Sequence, residues 1–266
     1  MNILIIATKT TEKNLVELCL KSKMIDHLYT ASNEPVEGVP NIEFLNYDDL
    51  IYKAKALQID LILLANKALI ADGLVEILKK NLLNVISVNQ KWFNLESSRL
   101  IAKQLIDHYS INNPEVVKAP MSFPIVIKTD RPKVTKIANS MQELIKIKEQ
   151  LDDQATFLEE YLKGEVYYLT ILWDGKSMVS FDEDMDLTEV QRDRLDLYKT
   201  KLNFLLSDEK ADFIGIFTTK LIWAKNDWHV LDFIMHIDED VDASLIKKDF
   251  LYLLNLALYQ KLNEIK

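Results

Sequence analysis

The stretch Phe123–Asp130, FPIVIKTD, carries the best-placed candidate for chemistry in this chain, Lys128. An apolar run that delivers a lysine and then an aspartate is how a buried strand presents a cation at its end, and a cation so placed commonly meets phosphate. Taken alone, the stretch also reads as a core strand whose lysine simply reaches solvent. Arg131, Lys133 and Lys136 follow within Thr129–Lys136, a segment without glycine. Such a segment attracts an anion but builds no backbone cradle for it, and Pro132 removes one more N–H donor. Asp182, Asp184 and Asp186, with Asp193 at the twelfth position, have calcium-loop spacing. The sixth position is Leu187 instead of glycine, and Thr188 with Gln191 starts a helix inside the loop, so the calcium reading is set aside. The four histidines, at 27, 108, 229 and 236, are scattered, and no serine–histidine spacing appears. The single cysteine, Cys19, excludes an internal disulfide and a thiolate metal cluster; between Leu18 and Leu20 it reads as a small core residue.

These residues need a scaffold, and the hydrophobic pattern provides one. Over residues 1–90 the strand-length apolar runs Ile3–Ala7, Leu28–Ala31, Ile59–Ala65 and Val85–Val88 alternate with amphipathic segments near Thr11–Lys21, Asp48–Leu57 and Ile70–Lys80. This alternation predicts a doubly wound α/β domain with a parallel sheet and right-handed crossovers. Ligands of such sheets sit beyond the carboxyl ends of the strands, so the turns after Ala7 and Ala65 are the places to look. The first, Ala7–Glu12, has no glycine that would let backbone N–H groups close on a phosphate. Farther on, Glu96–Tyr109 has helical spacing through Leu100, Ile101, Leu105 and Ile106, and the proline- and asparagine-containing Ser110–Pro120 is a linker. Ser140–Leu151 is an amphipathic helix opened by a capping box of Ser140 and Glu143. Val166–Trp173, the Asp174-Gly175 turn and Ser177–Phe181 form a hairpin. Phe213–Trp223 and Trp228–Met235 read as an antiparallel pair, and one amphipathic helix is expected from Ala243 to the end.

Three stretches in this order, LESSRLIAK at Leu95–Lys103, FPIVIKTD, and FLEEYLKGEV at Phe157–Val166, resemble LEGSKAFAK, FPVVIKADG and IEEFLDGEE of phosphoribosylamine–glycine ligase, an ATP-grasp enzyme of purine synthesis. The resemblance runs through nearly the whole chain. It implies a Rossmann-like, pre-ATP-grasp domain over 1–90 and an ATP-grasp α+β module over 91–266 with a lid at about 120–181. It leaves the family's C-terminal domain without a counterpart. It also implies ATP and Mg2+ as cofactors. Arg99 and Lys128 would then lie on nucleotide phosphates, Glu159, Glu160, Tyr161 and Leu162 would form the hinge whose backbone reads adenine, and Asp232 would be a magnesium ligand.

The departures from the family fall in the polar chemistry. The family's GSGGREHAL aligns with Ala7–Leu15 and keeps only Glu12 and Leu15; its GPEAPLVAG aligns with Ala65–Gly73 and puts Lys67 in place of a glutamate. The glycine-rich flap ADGLAAGKGV is replaced by Thr129–Lys136, and the ribose-binding glutamate by Val166. The long substrate segment after the hairpin is missing, with Asp182–Asp186 in its place. In VIEFNVRFGDPE the two magnesium ligands become Asp232 and Ile234, and the arginine becomes His236. Asp238, Glu239, Asp240 and Asp242 then read as a solvated loop and helix N-terminus. Taken together, these changes lead to the expectation of a degenerate relative, catalytically impaired or inactive, that binds ATP and magnesium weakly or not at all and acts through binding. No catalytic residue is assigned. The alternative is an ATP-dependent carboxylate–amine ligase with altered active-site residues.

Composition narrows the partners. With 266 residues, 48% hydrophobic and 27% charged, the chain can bury a large core in two or three small domains. A formal charge of −9 and a pI near 5.1 argue against a nucleic-acid surface. MNILIIA is too short for a signal peptide or a membrane span, and Phe250–Tyr259, flanked by lysines and containing Asn255, reads as a buried helix. A cytoplasmic protein without a membrane or nucleic-acid partner is expected, with a protein partner or a second copy as the candidate for what it engages.

Overall fold

The computed structural model describes residues 1–32, 34–151, 155–238 and 249–265. The strands β1 (Asn2–Ile6), β2 (His27–Thr30), β3 (Leu61–Leu64) and β4 (Val85–Ile86) form a parallel sheet in the order β2-β1-β3-β4. Successive strand residues point to opposite faces, and both faces here are covered. Ile3, Ile5, Leu61 and Leu63 pack with the helices α1 (Lys9–Leu20) and α9 (Phe250–Leu258). Leu4, Ile6, Ile62 and Leu64 pack on the other side with α2 (Tyr47–Ala56) and α4 (Leu74–Lys80). The apolar C-terminal helix therefore folds back onto the first sheet of the chain.

Two expected helices are each broken. Ile70–Lys80 divides into α3 (Lys67–Ala71) and α4 because Gly73 sits at φ 82°, left-handed backbone that favours glycine. Glu96–Tyr109 divides into α5 (Gln90–Ser97) and α6 (Arg99–His108). Ser98 between them is extended, at φ −136° and ψ 117°, and its hydroxyl accepts the Ile101 N–H as the cap of α6.

The strands β8 (Glu165–Trp173), β9 (Met178–Phe181), β10 (Gly215–Ala224) and β11 (Asp227–Ile234) form an antiparallel sheet in the order β11-β10-β8-β9. The helix α8 (Glu189–Asp208), opened by the expected Thr188–Gln191 capping box, buries Leu195, Leu202 and Leu206 beneath it. A third, antiparallel sheet, β6-β5-β7, is built from β5 (Ile125–Thr129), β6 (Thr135–Ala138) and β7 (Thr156–Glu160). It has its own small core of Ile125, Ile127 and Leu158 against Leu144 of α7 (Met141–Gln150). The β8–β9 hairpin belongs to the four-stranded sheet, and the three-stranded sheet lies within 125–160. At α7, Ser140 accepts the Glu143 N–H, but Glu143 reaches back to the Asn139 N–H, so the expected box is completed one residue early.

The Ser87 N–H donates to Ile214 O at 2.8 Å and joins the first sheet to the second. A Cβ on Gly215 would lie 2.8 Å from the Ser87 carbonyl carbon, so only glycine allows this approach. Helix α9 ends at Leu258 and a 3-10 turn follows at Leu262–Glu264, so the helix expected from Ala243 stops earlier than the sequence suggested. The expected start at Ala243, together with Glu239, Asp240 and Asp242, lies outside the described residues. Among the described residues no helix is long and apolar enough to cross a membrane.

Candidate functional site

Between the three-stranded and four-stranded sheets lies a cleft of about 330 Å³. Val126 and Ile137 line it from the first, and Val166, Ile222 and Leu231 from the second. Leu162, in the segment joining β7 to β8, closes one end and packs on Ile222 and Ala224. Two apolar walls facing across a slot suit a flat ring. The connecting segment is held tight at Gly164, where a Cβ would meet the Trp223 carbonyl oxygen at 1.9 Å. Among the described residues, the backbone of Tyr161 and Leu162 makes no backbone hydrogen bond, so its polar groups are available to a ligand.

The other end of the cleft is ionic. Lys128, 8% exposed, sets its Nζ 2.6 Å from Glu159 Oε2 and 3.5 Å from the Leu231 carbonyl. Lys103 lies 3.3 Å from Glu159 Oε1, so two lysines flank one carboxylate. Burial pulls the Lys128 amine below its ordinary pKa; Glu159 opposes this and Arg99 adds to it. Asp232 is held from both sides, by Lys133 Nζ at 2.8 Å from Oδ1 and by Arg99 Nη2 at 3.6 Å from Oδ2. Glu160 turns to Lys225 and to the Glu115 N–H. Burial alone would raise its pKa, and these partners bring it below the ordinary value.

The loop between β5 and β6 is closed on itself and tied to α6. Val134 N–H donates to Thr129 Oγ1 and Thr129 N–H to Val134 O. Arg99 Nη1 donates to the Thr129 and Val134 carbonyls at 3.1 and 2.8 Å. Asp130 accepts from the Ser98 hydroxyl at 3.0 Å and from the Leu100 N–H at 3.1 Å, a second cap on the same helix end. Ser98 and Arg99 of LESSR thus act as a clamp on the loop that follows FPIVIK.

No known protein-family model matches the chain. It is 24% identical to the phosphoribosylamine–glycine ligase of Fusobacterium nucleatum, across 100% of this chain and 75% of that one. The solved phosphoribosylamine–glycine ligase of Thermotoga maritima superposes with a TM-score of 0.74 at 17% identity, over 98% of this chain and 76% of that one. Biotin carboxylase from Campylobacter jejuni, solved as a β,γ-ATP complex, gives 0.72 at 13% identity, over 96% and 70%. The chain has the ATP-grasp fold. Along its whole length it resembles the phosphoribosylamine–glycine ligases.

Within that ATP-grasp frame, Arg99, Lys128, Glu159, Glu160, Tyr161, Leu162 and Asp232 all line the one cleft. Val166 also lines it, in the wall from the four-stranded sheet, and leaves it open; Ile234 is not among the lining residues. The sequence did not single out Lys103, Lys220 or the clamping role of Asp130. Lys220 had left a signal, a lysine in the middle of the strand-length apolar run Phe213–Trp223.

Other polar residues lie away from the cleft. Glu96 accepts from the Met235 N–H and lies 2.7 Å from His236 Nδ1 and 3.4 Å from Lys67. Burial works to raise the Glu96 pKa, but His236 and Lys67 bring it below the ordinary value. The lysine that replaces a family glutamate thus has a carboxylate partner within the chain. Glu12 is fully buried beneath the Ser32 hydroxyl, and burial pushes its pKa up to about 7. Asp182, the first residue of the calcium spacing, is paired with Lys199 at 3.1 Å. Cys19 is buried, its thiol pushed up to about 12 by burial.

Proposed function

We propose that this chain is a nucleotide-binding ATP-grasp protein, impaired in or incapable of the metal-dependent ligation named for its relatives, and acting through what it binds. The observation that carries the proposal is the state of Asp232. Its carboxylate lies between Lys133 and Arg99, and the other position matched to a metal ligand is the hydrocarbon Ile234. A magnesium ion wants several hard oxygens in near-octahedral array. A single carboxylate already paired to two cations does not fit that demand.

ATP itself fits better. The cleft volume lies within the range of about 300–1,000 Å³ usual for small-molecule sites. A base would lie between the apolar walls, beside the backbone of Glu160, Tyr161 and Leu162, and the phosphates would face Lys128 and Arg99. When bound, ATP supplies an activated phosphoryl group; the residues of this chain orient it and neutralise its charge. The loop Thr129–Val134 has no glycine, its Pro132 has no N–H, and its Thr129 and Val134 amides are engaged internally, so it adds no glycine-rich cradle.

The second reading, a working carboxylate–amine ligase with altered residues, draws on the whole-length resemblance. Calorimetric titration with ATP distinguishes the two. Weak affinity, millimolar or close to it, that is lost in Lys128→Met supports the proposal, and micromolar affinity requiring magnesium favours the ligase.

A further inference from the structure

A chain with a formal net charge of −9 gathers positive charge around this one cleft. Arg99, Lys128 and Lys220 line it beside the carboxylates of Glu159, Glu160 and Asp232, and Lys103, Lys133 and Lys225 pair with those same carboxylates. Five of the six are committed to those carboxylates. Lys220 is different. It lies mid-strand in β10, opposite Asp232 of β11 on one side and Tyr168 of β8 on the other. Its Nζ sits 5.4 Å from the centre of the Tyr168 ring, the side chain lines the cleft, and among the described residues it makes no ion pair with any carboxylate.

We infer that the ammonium groups of Lys220 and Lys133 stand where an ATP-grasp site would use a divalent metal, and that the ligand of this cleft is a metal-free polyphosphate anion. The inference rests on the nucleotide reading above and specifies the ionic form that is bound. A dication entering beside Asp232 would displace Lys133 and meet Lys220, Arg99 and Lys128 at close range, a like-charge arrangement that opposes it. A phosphate chain arriving without metal meets the opposite field. It takes Lys220 directly and competes with Asp232 for Lys133, which is charge-assisted hydrogen bonding of the kind that recognises phosphate.

The test is a titration of the full chain with ATP and, separately, with inorganic tripolyphosphate, each in EDTA and in excess Mg2+. Wild type is compared with Lys220→Gln and Lys220→Arg, and melting temperatures serve as the folding control. Binding in EDTA should exceed binding in Mg2+ by about tenfold. Lys220→Gln should lose about tenfold or more in EDTA, as expected for a hydrogen bond to a charged group, and Lys220→Arg should recover most of it. If tripolyphosphate behaves this way and ATP does not bind, the inference stands and the nucleotide reading fails. If ATP binds more tightly with Mg2+, or Lys220→Gln binds like wild type, the inference is overturned and the nucleotide reading survives. If neither anion binds, both fall.

Discussion

Replacing Glu159 with glutamine should expose how the cleft is held together. Glu159 is 3% exposed, lies 2.6 Å from the ammonium of Lys128, itself buried, and is 3.3 Å from Lys103. Glutamine keeps the size of the side chain and removes the charge, leaving the buried Lys128 without its carboxylate and the half-buried Lys103 with only Asn113 and the Pro114 carbonyl. Breaking a buried ion pair at one partner costs about 3–5 kcal/mol. At ~2–4 °C per kcal/mol for a chain of this size, the melting temperature should fall by roughly 6–20 °C. The sign of the pH dependence follows from Lys128, whose pKa lies below its ordinary 10.5 through burial, with Glu159 the main opposing influence. Without Glu159 it falls further. A lysine with a depressed folded pKa binds fewer protons folded than unfolded, so stability is regained as pH rises from the folded pKa towards 10.5. The gap between Glu159→Gln and wild type should therefore narrow from pH 7 to pH 10 in thermal melts, and Lys128→Met added to Glu159→Gln should restore more than half of the loss. A drop below 2 °C, or a gap that does not change with pH, would refute the buried pair as the organising contact.

Glu12→Gln should flatten a different pH slope. A carboxyl held near pKa 7 when folded, against 4.5 otherwise, loses stabilisation as pH rises through that window, so wild-type melting temperature should decline between pH 4.5 and 7 and the variant's should not. Gly164→Ala should destabilise by about 3 kcal/mol in chemical denaturation, because its Cβ would strike the Trp223 carbonyl; a neutral result would contradict the close approach. Ser98→Ala removes a helix cap and one tie to Asp130. It should cost about 1 kcal/mol and speed hydrogen exchange at Val134; unchanged exchange there would detach the loop from α6.

The sequence made the elements legible where their patterns are local. Buried strands such as Ile3–Ala7 and Phe123–Lys128, and the Thr188 capping box, were readable because side-chain period and cap chemistry act over a few residues. The breaks at Gly73 and Ser98 were missed because helical apolar spacing continues across them, and the deciding facts are a backbone angle and a hydrogen bond to Asp130, thirty-two residues away. At the site, Lys128, Arg99 and Asp232 could be picked out by type and resemblance. What Asp232 faces could not: Lys133 reaches it only through the folding of the β5–β6 loop over the cleft, and Lys220 stands opposite it in register only through the pairing of β10 with β11.

The proposed loss of relative-like catalysis is tested most directly by turnover. Pure protein is incubated with ATP, Mg2+, glycine and phosphoribosylamine, and ADP and ligated product are followed against an enzyme-free control. Positioning and electrostatic stabilisation supply most of the rate in phosphoryl transfer, so a site whose metal carboxylate is paired to Lys133 and Arg99 should give neither product above the control. Magnesium-dependent ADP and product formation, abolished in Asp232→Asn, would contradict this and establish a working ligase.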